Sequence, residues 1–144
     1  MSVAAYRNTL RESDSPRHIE RRLLAEAAAR IEAFAPAFDG DSARTARLSI
    51  LASGLREALV RNQSLWAALR LDLAEAGNGL APALRAQLIS ISAWVDRQTT
   101  AALRGRDSVG PLVEVNRAIV DGLSARPAQP ATEAQAAASV SLAT

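Results

Sequence analysis

Residues 42–79 read SARTARLSILASGLREALVRNQSLWAALRLDLAEAGNG, and the fold is decided by how this stretch is patterned. Leu48, Leu51, Leu55, Leu59, Trp66, Leu69 and Leu73 recur at intervals built from threes and fours, with Asn62 in the one remaining place. That is the period of one face of an α-helix; a strand would alternate every second residue. Ser42 is a suitable opening residue, and Gly77-Asn78-Gly79 is a helix-stop turn. Gly54 lies inside the run and costs about 1 kcal/mol relative to alanine there. A bend or a close helix contact is therefore expected at Gly54.

Working outward, the same punctuation marks three more helices. Ser15-Pro16 opens the first, an N-cap residue followed by proline where its missing N–H costs nothing. Ile19, Leu23, Ala27, Ile31 and Phe34 give it an inward face, and Pro36 with Asp39-Gly40-Asp41 closes it. Pro82 starts the third helix, faced by Leu84, Leu88, Ile91, Val95 and Ala102 and ended by Gly105. The fourth starts at Ser108 or Pro111 and runs to Leu123, with Leu112, Val115, Ile119 and Leu123 inward. Four amphipathic helices on short polar turns bury their stripes most simply as an antiparallel bundle, so the expected fold is all-α. The expected organisation is a lead segment over residues 1–14, the helical bundle over 15–124 and an Ala/Pro-rich tail over 125–144. The lead segment carries a weak apolar set, Val3, Tyr6 and Leu10, at spacings a short helix could use. The tail has almost no large apolar side chains with which to offset the entropy of ordering, and is expected to be disordered.

Composition excludes most chemistry. Cysteine is absent and histidine occurs once, as His18, which removes thiol nucleophiles, disulfides and imidazole or thiolate metal sites. Lysine is absent too, so nothing can form a Schiff base or a lysine phosphate clamp. No paired carboxylates, Ser/His/Asp set or phosphate loop has a supporting context. The expectation is a non-enzyme with no catalytic residue, cofactor or metal. Seventeen arginines stand against 15 acidic residues, a net charge of +2, and the two signs alternate along most of the chain. That pattern reads as a solvated mixed surface and argues against nucleic acid. No apolar run reaches signal-peptide or membrane-spanning length, so a cytoplasmic location with no membrane contact is expected.

Two classes of residue break the helical pattern. Glu20, Asn62 and Asn116 are polar yet fall on apolar faces, and they read either as boundary residues that reach water or as a buried polar layer that fixes helix register at some cost in stability. Ile50, Val60 and Leu71 point away from the stripe of the long helix, and Ile89 and Leu103 from that of the third, with Trp94 at its edge. Such residues either pack against a neighbouring helix or line an apolar groove for a partner helix. On the second reading Val60, Leu71, Ile89 and Trp94 are the candidate contacts.

The order of these pieces resembles the FlaF family of flagellar biosynthesis regulators over roughly residues 4–123. It is carried by Ala5-Tyr6, by Ser15-Pro16-Arg17 with Glu20 and Arg22-Leu23-Leu24, and by Asn62 with Leu65-Trp66. It continues through GNGL from Gly77, LRAQLISISAWVDRQT from Leu84 and SVGPLVEVNRAIVDGL from Ser108. The pattern departs from the family at Ala81, where leucine is expected before Pro82, and at Gln98, where an aromatic ring or histidine is commoner. The resemblance implies a small helical cytoplasmic protein that engages flagellin as a secretion chaperone, regulates flagellin synthesis and flagellum assembly, and works alongside a second regulator, FlbT. The alternatives are an RNA-binding translational regulator of flagellin mRNA, disfavoured by mixed charge and by 3% aromatic residues, or a structural adaptor between flagellar regulatory proteins.

Overall fold

The structure, a computed structural model, describes residues 20–75, 77 and 79–124. The expected lead segment (1–14), Ile19 and the tail (125–144) lie outside the described residues. Within them the chain is helical, with no strand. We number the helices α1 (20–32), α2 (Ala35–Asp39), α3 (Arg44–Ile50), α4 (Arg56–Ala74), α5 (Pro82–Leu103) and α6 (Gly110–Ser124). A widened π-type turn, Leu51–Leu55, joins α3 to α4.

α1 buries Leu24, Ala27, Ala28 and Ile31. This corrects the expected face, because Leu23 turns partly outward at 38% exposure while Leu24 takes the inward place. Pro36 was expected only to end a helix. It instead opens α2, a position in the first turn where proline costs no hydrogen bond. α2 is short, yet it buries Phe38 fully and delivers Asp39 to the far side of the bundle.

The long stripe survives with a break at the expected glycine. Leu51, Leu55, Leu59, Trp66, Leu69 and Leu73 are all buried, but Gly54 adopts φ 145°, a backbone that side chains rarely tolerate. The Phe34 ring lies against it, and a Cβ there would sit 2.9 Å from Phe34 Cζ. Both a bend and a close contact are therefore present. The widened turn also resets the helical phase, so Ile50, expected to point away, is half-buried against the core. Leu103 is likewise packed on the core.

Side-chain pairings fix the topology. Gln63 donates to Asp96 (2.9 Å) and Arg70 to Ser92 (2.8 Å), so α4 and α5 run antiparallel. Phe34 meets Gly54 while Leu23 and Ala27 face Leu65 and Ala58, which makes α1 antiparallel to α4 as well. α6 leaves the same corner as α3, and its Asn116 reaches Asn62 of α4 and the backbone of Leu24 in α1. The result is an antiparallel helical bundle with the core along its axis.

The corner where α2, α3, α5 and α6 meet is held by charge on helix ends. Both carboxylate oxygens of Asp39 accept backbone N–H groups, from Val109 and Gly110 at 2.8 Å each, capping α6 from another helix. Arg47 donates to the carbonyls of Phe38 (3.1 Å) and Gly105 (3.4 Å), and Arg44 donates to that of Arg104 (3.1 Å). Two arginines thus satisfy carbonyls at the C-terminal ends of α2 and α5, where positive charge is favoured. Gly105, at φ 72°, closes α5 with the paired hydrogen bonds Gly105 N–H to Ala102 and Arg106 N–H to Ala101.

Candidate functional site: a buried amide layer and an uncharged outer strip

Asn62 and Asn116 are fully buried in the middle of the core. Trp66 Nε1 donates to Asn116 Oδ1 (2.9 Å), and Asn116 Nδ2 donates both to the Leu24 carbonyl (3.1 Å) and to Asn62 Oδ1 (2.8 Å). The indole nitrogen can only donate, so it fixes which end of the Asn116 amide faces it. The Asn116 NH2 then points at Leu24 and Asn62, and Asn62 must present its oxygen. This chain of constraints ties α1, α4 and α6 to one register. It also leaves Asn62 Nδ2 buried without a hydrogen-bond partner among the described residues. Glu20, the third expected member, is half-buried one helical turn before Leu24. Trp66 is the member that sequence reasoning missed. It read as an ordinary stripe residue, and the signal was its place one turn from Asn62.

The four expected partner contacts do not share one face. Val60 (44% exposed) and Leu71 (71% exposed) both point outward from α4, on the side opposite the core. Ile89 and Trp94 are half-buried and packed against the core. At 100° per residue they stand about 140° apart around α5. Ile89 is on the flank that meets α4, since Ser92, which bonds the Ile89 carbonyl, also accepts from Arg70. Trp94 is on the flank turned away. The single groove expected between α4 and α5 is thereby reduced to its α4 half, because the seam itself is closed by Gln63–Asp96 and Arg70–Ser92.

What the α4 half offers is more extensive than two side chains. Between Val60 and Leu71 the outward positions are Ser64, Ala67 and Ala68, all exposed. No charge interrupts it. A helix normally turns its charged residues to solvent, whereas between Val60 and Leu71 the side of α4 opposite the core carries none, with Glu57 standing one turn before the strip and Arg61 at its edge. Small side chains at the centre allow close approach by another helix, with Val60 and Leu71 as its apolar ends.

A family model described as flagellar protein FlaF matches residues 2–123. The chain belongs to the FlaF family. No curated protein and no solved structure matches it significantly. The FlaF match takes in both asparagines, Trp66 and the described helices up to the last residue but one of α6, and it begins in the lead segment that precedes α1. It stops short of the Ala/Pro-rich tail. A flagellar role follows from membership. Among the described residues no cluster of His, Asp or Glu could hold a metal ion, and no helix is long and apolar enough to cross a membrane.

Proposed function

We propose that this FlaF-family chain is a cytoplasmic, non-enzymatic binding protein that takes flagellin as its partner, chaperoning it and linking its supply to flagellum assembly. The observation that carries the reading is the uncharged outer strip of α4 from Val60 to Leu71. Flagellar family membership supplies the context in which such a strip meets the amphipathic helices of a filament subunit. An apolar strip of this kind binds a helix by burying area, and about 25 cal/mol is gained per Å² removed from water. FlbT, the second regulator implied by the resemblance, is a further proposed partner.

Purified chain is to be mixed with flagellin and, separately, with flagellin leader RNA, each at two salt concentrations. Flagellin is expected to co-purify at both. Binding of the RNA in place of flagellin, collapsing as salt rises, would make the arginines the functional groups and overturn the proposal.

A further inference from the structure

Besides the outer strip, α1 and α4 leave a shallow groove of about 180 Å³ between them, lined by Leu23, Ala27, Ala58 and Leu65 with Glu26, Arg30 and Arg61 at its rims. Leu23 is the residue that the helical spacing placed in the core and that the fold leaves 38% exposed. We propose that the occupant of this groove is the chain's own lead segment, residues 3–10, lying as a helix antiparallel to α1 with Val3, Tyr6 and Leu10 facing in.

Four observations support this occupant. Val3, Tyr6 and Leu10 are spaced by three and four, which gathers them on one side of a helix that has no other apolar face to turn inward. A segment this short is not a stable helix by itself and needs a surface to bury that stripe. The lengths agree, because equal numbers of residues separate Val3 from Leu10 and Leu23 from Arg30, about 10 Å of helix in each case. The connection is also right. Residues 11–19 can span at most about 30 Å, enough to reverse direction beside α1, and they contain Ser13-Asp14-Ser15-Pro16, residues suited to a turn. Finally, the FlaF match begins at residue 2, so the lead segment is part of the family domain and is not an appendage to it.

On this arrangement Leu10 covers Leu23 and Leu65, Tyr6 lies over Ala27 and Ala58 with its hydroxyl at the polar rim, and Val3 reaches the Arg30 end. Arg7, about 40° from the Val3 direction, comes alongside the Glu26 rim. The groove is separate from the outer strip of α4, so the proposal does not rest on flagellin binding to that strip.

The chain has no cysteine, which allows a single nitroxide to be placed anywhere. With the full-length ¹⁵N-labelled protein carrying the label at Arg61→Cys, on the groove rim, the amide signals of residues 3–10 are expected to lose most of their intensity. With the label at Arg97→Cys, on the exposed face of α5 and across α4 from the groove, they are expected to keep it. Leu10→Asp should restore the signals in the Arg61→Cys protein, and Asn8→Asp, on the far side of the segment, should not. Unchanged signals with the Arg61 label would overturn the proposal. So would broadening seen only when labelled and ¹⁵N chains are mixed, which would make a second copy the occupant. Protection of the groove only after flagellin is added would assign it to the partner and overturn the proposal equally.

Discussion

Replacing the two buried asparagines by leucine, singly and together, should give three different stabilities, and their order follows from the hydrogen bonds. Leucine is close to isosteric with asparagine, so packing changes little and the polar accounting decides. In Asn116→Leu the Trp66 Nε1–H and the Asn62 oxygen both lose their partners inside the core. Each buried orphan costs about 1–3 kcal/mol, partly offset by the apolar side chain, for a net loss of about 3 kcal/mol. In Asn62→Leu one orphan replaces another. The unpartnered Asn62 Nδ2 disappears while one hydrogen of Asn116 Nδ2 loses its acceptor, and stability should stay within about 1 kcal/mol of the parent. In the double variant only the Trp66 N–H is orphaned, so stability should rise by about 2 kcal/mol over Asn116→Leu alone. Urea unfolding followed by far-ultraviolet circular dichroism measures all four proteins, and thermal scans should show Asn116→Leu melting on the order of 10 °C lower. Equal losses from the two single variants, or a double variant no more stable than Asn116→Leu, would refute the assigned orientation of the layer.

Gly54→Ala should destabilise by about 2 kcal/mol or more in the same assay, because φ 145° is strained for any side chain and Phe34 fills the space; Phe34→Ala combined with it should recover only the steric part. Asp39→Ala removes the acceptor of two N–H groups at the start of α6 and should cost about 1–2 kcal/mol, with amide exchange rising first at Val109 and Gly110. Trp94→Ala, read from sequence as loss of a partner contact, should lower stability by about 2 kcal/mol while leaving flagellin affinity of the folded fraction unchanged, since Trp94 packs on the core away from the outer strip.

The long helical segments and the inward stripes of the long helix and α5 could be read from residue spacing because a helix repeats every three to four residues whatever it packs on. The asparagines could be singled out for the same reason: a polar residue inside an apolar stripe is visible without a structure. Their mutual contact was not visible, since it depends on how α4 and α6 meet across the bundle. Leu23 and Leu24 could not be ranked by periodicity alone, as adjacent leucines serve either face until the neighbouring helix is placed. α2 was hidden by Pro36, whose presence marks a helix end and a helix start equally well. Asp39 read as a turn residue, and its capping of α6 is a contact between segments 70 residues apart in sequence. The outer positions Val60 and Leu71 were recognised as off the stripe. The small residues between them gain meaning only once that side of α4 is seen to have no neighbour among the described residues.

On the proposed function, flagellin lies along the outer strip of α4. Calorimetric titration of flagellin into the parent protein and into Val60→Glu/Leu71→Glu tests it most directly. Both substituted positions are exposed, so circular dichroism and melting temperature should be unchanged. Placing two carboxylates in an apolar contact should cost about 2 kcal/mol or more, weakening binding by roughly thirtyfold or greater. A folded variant that binds flagellin as tightly as the parent would rule out the outer strip as the binding surface.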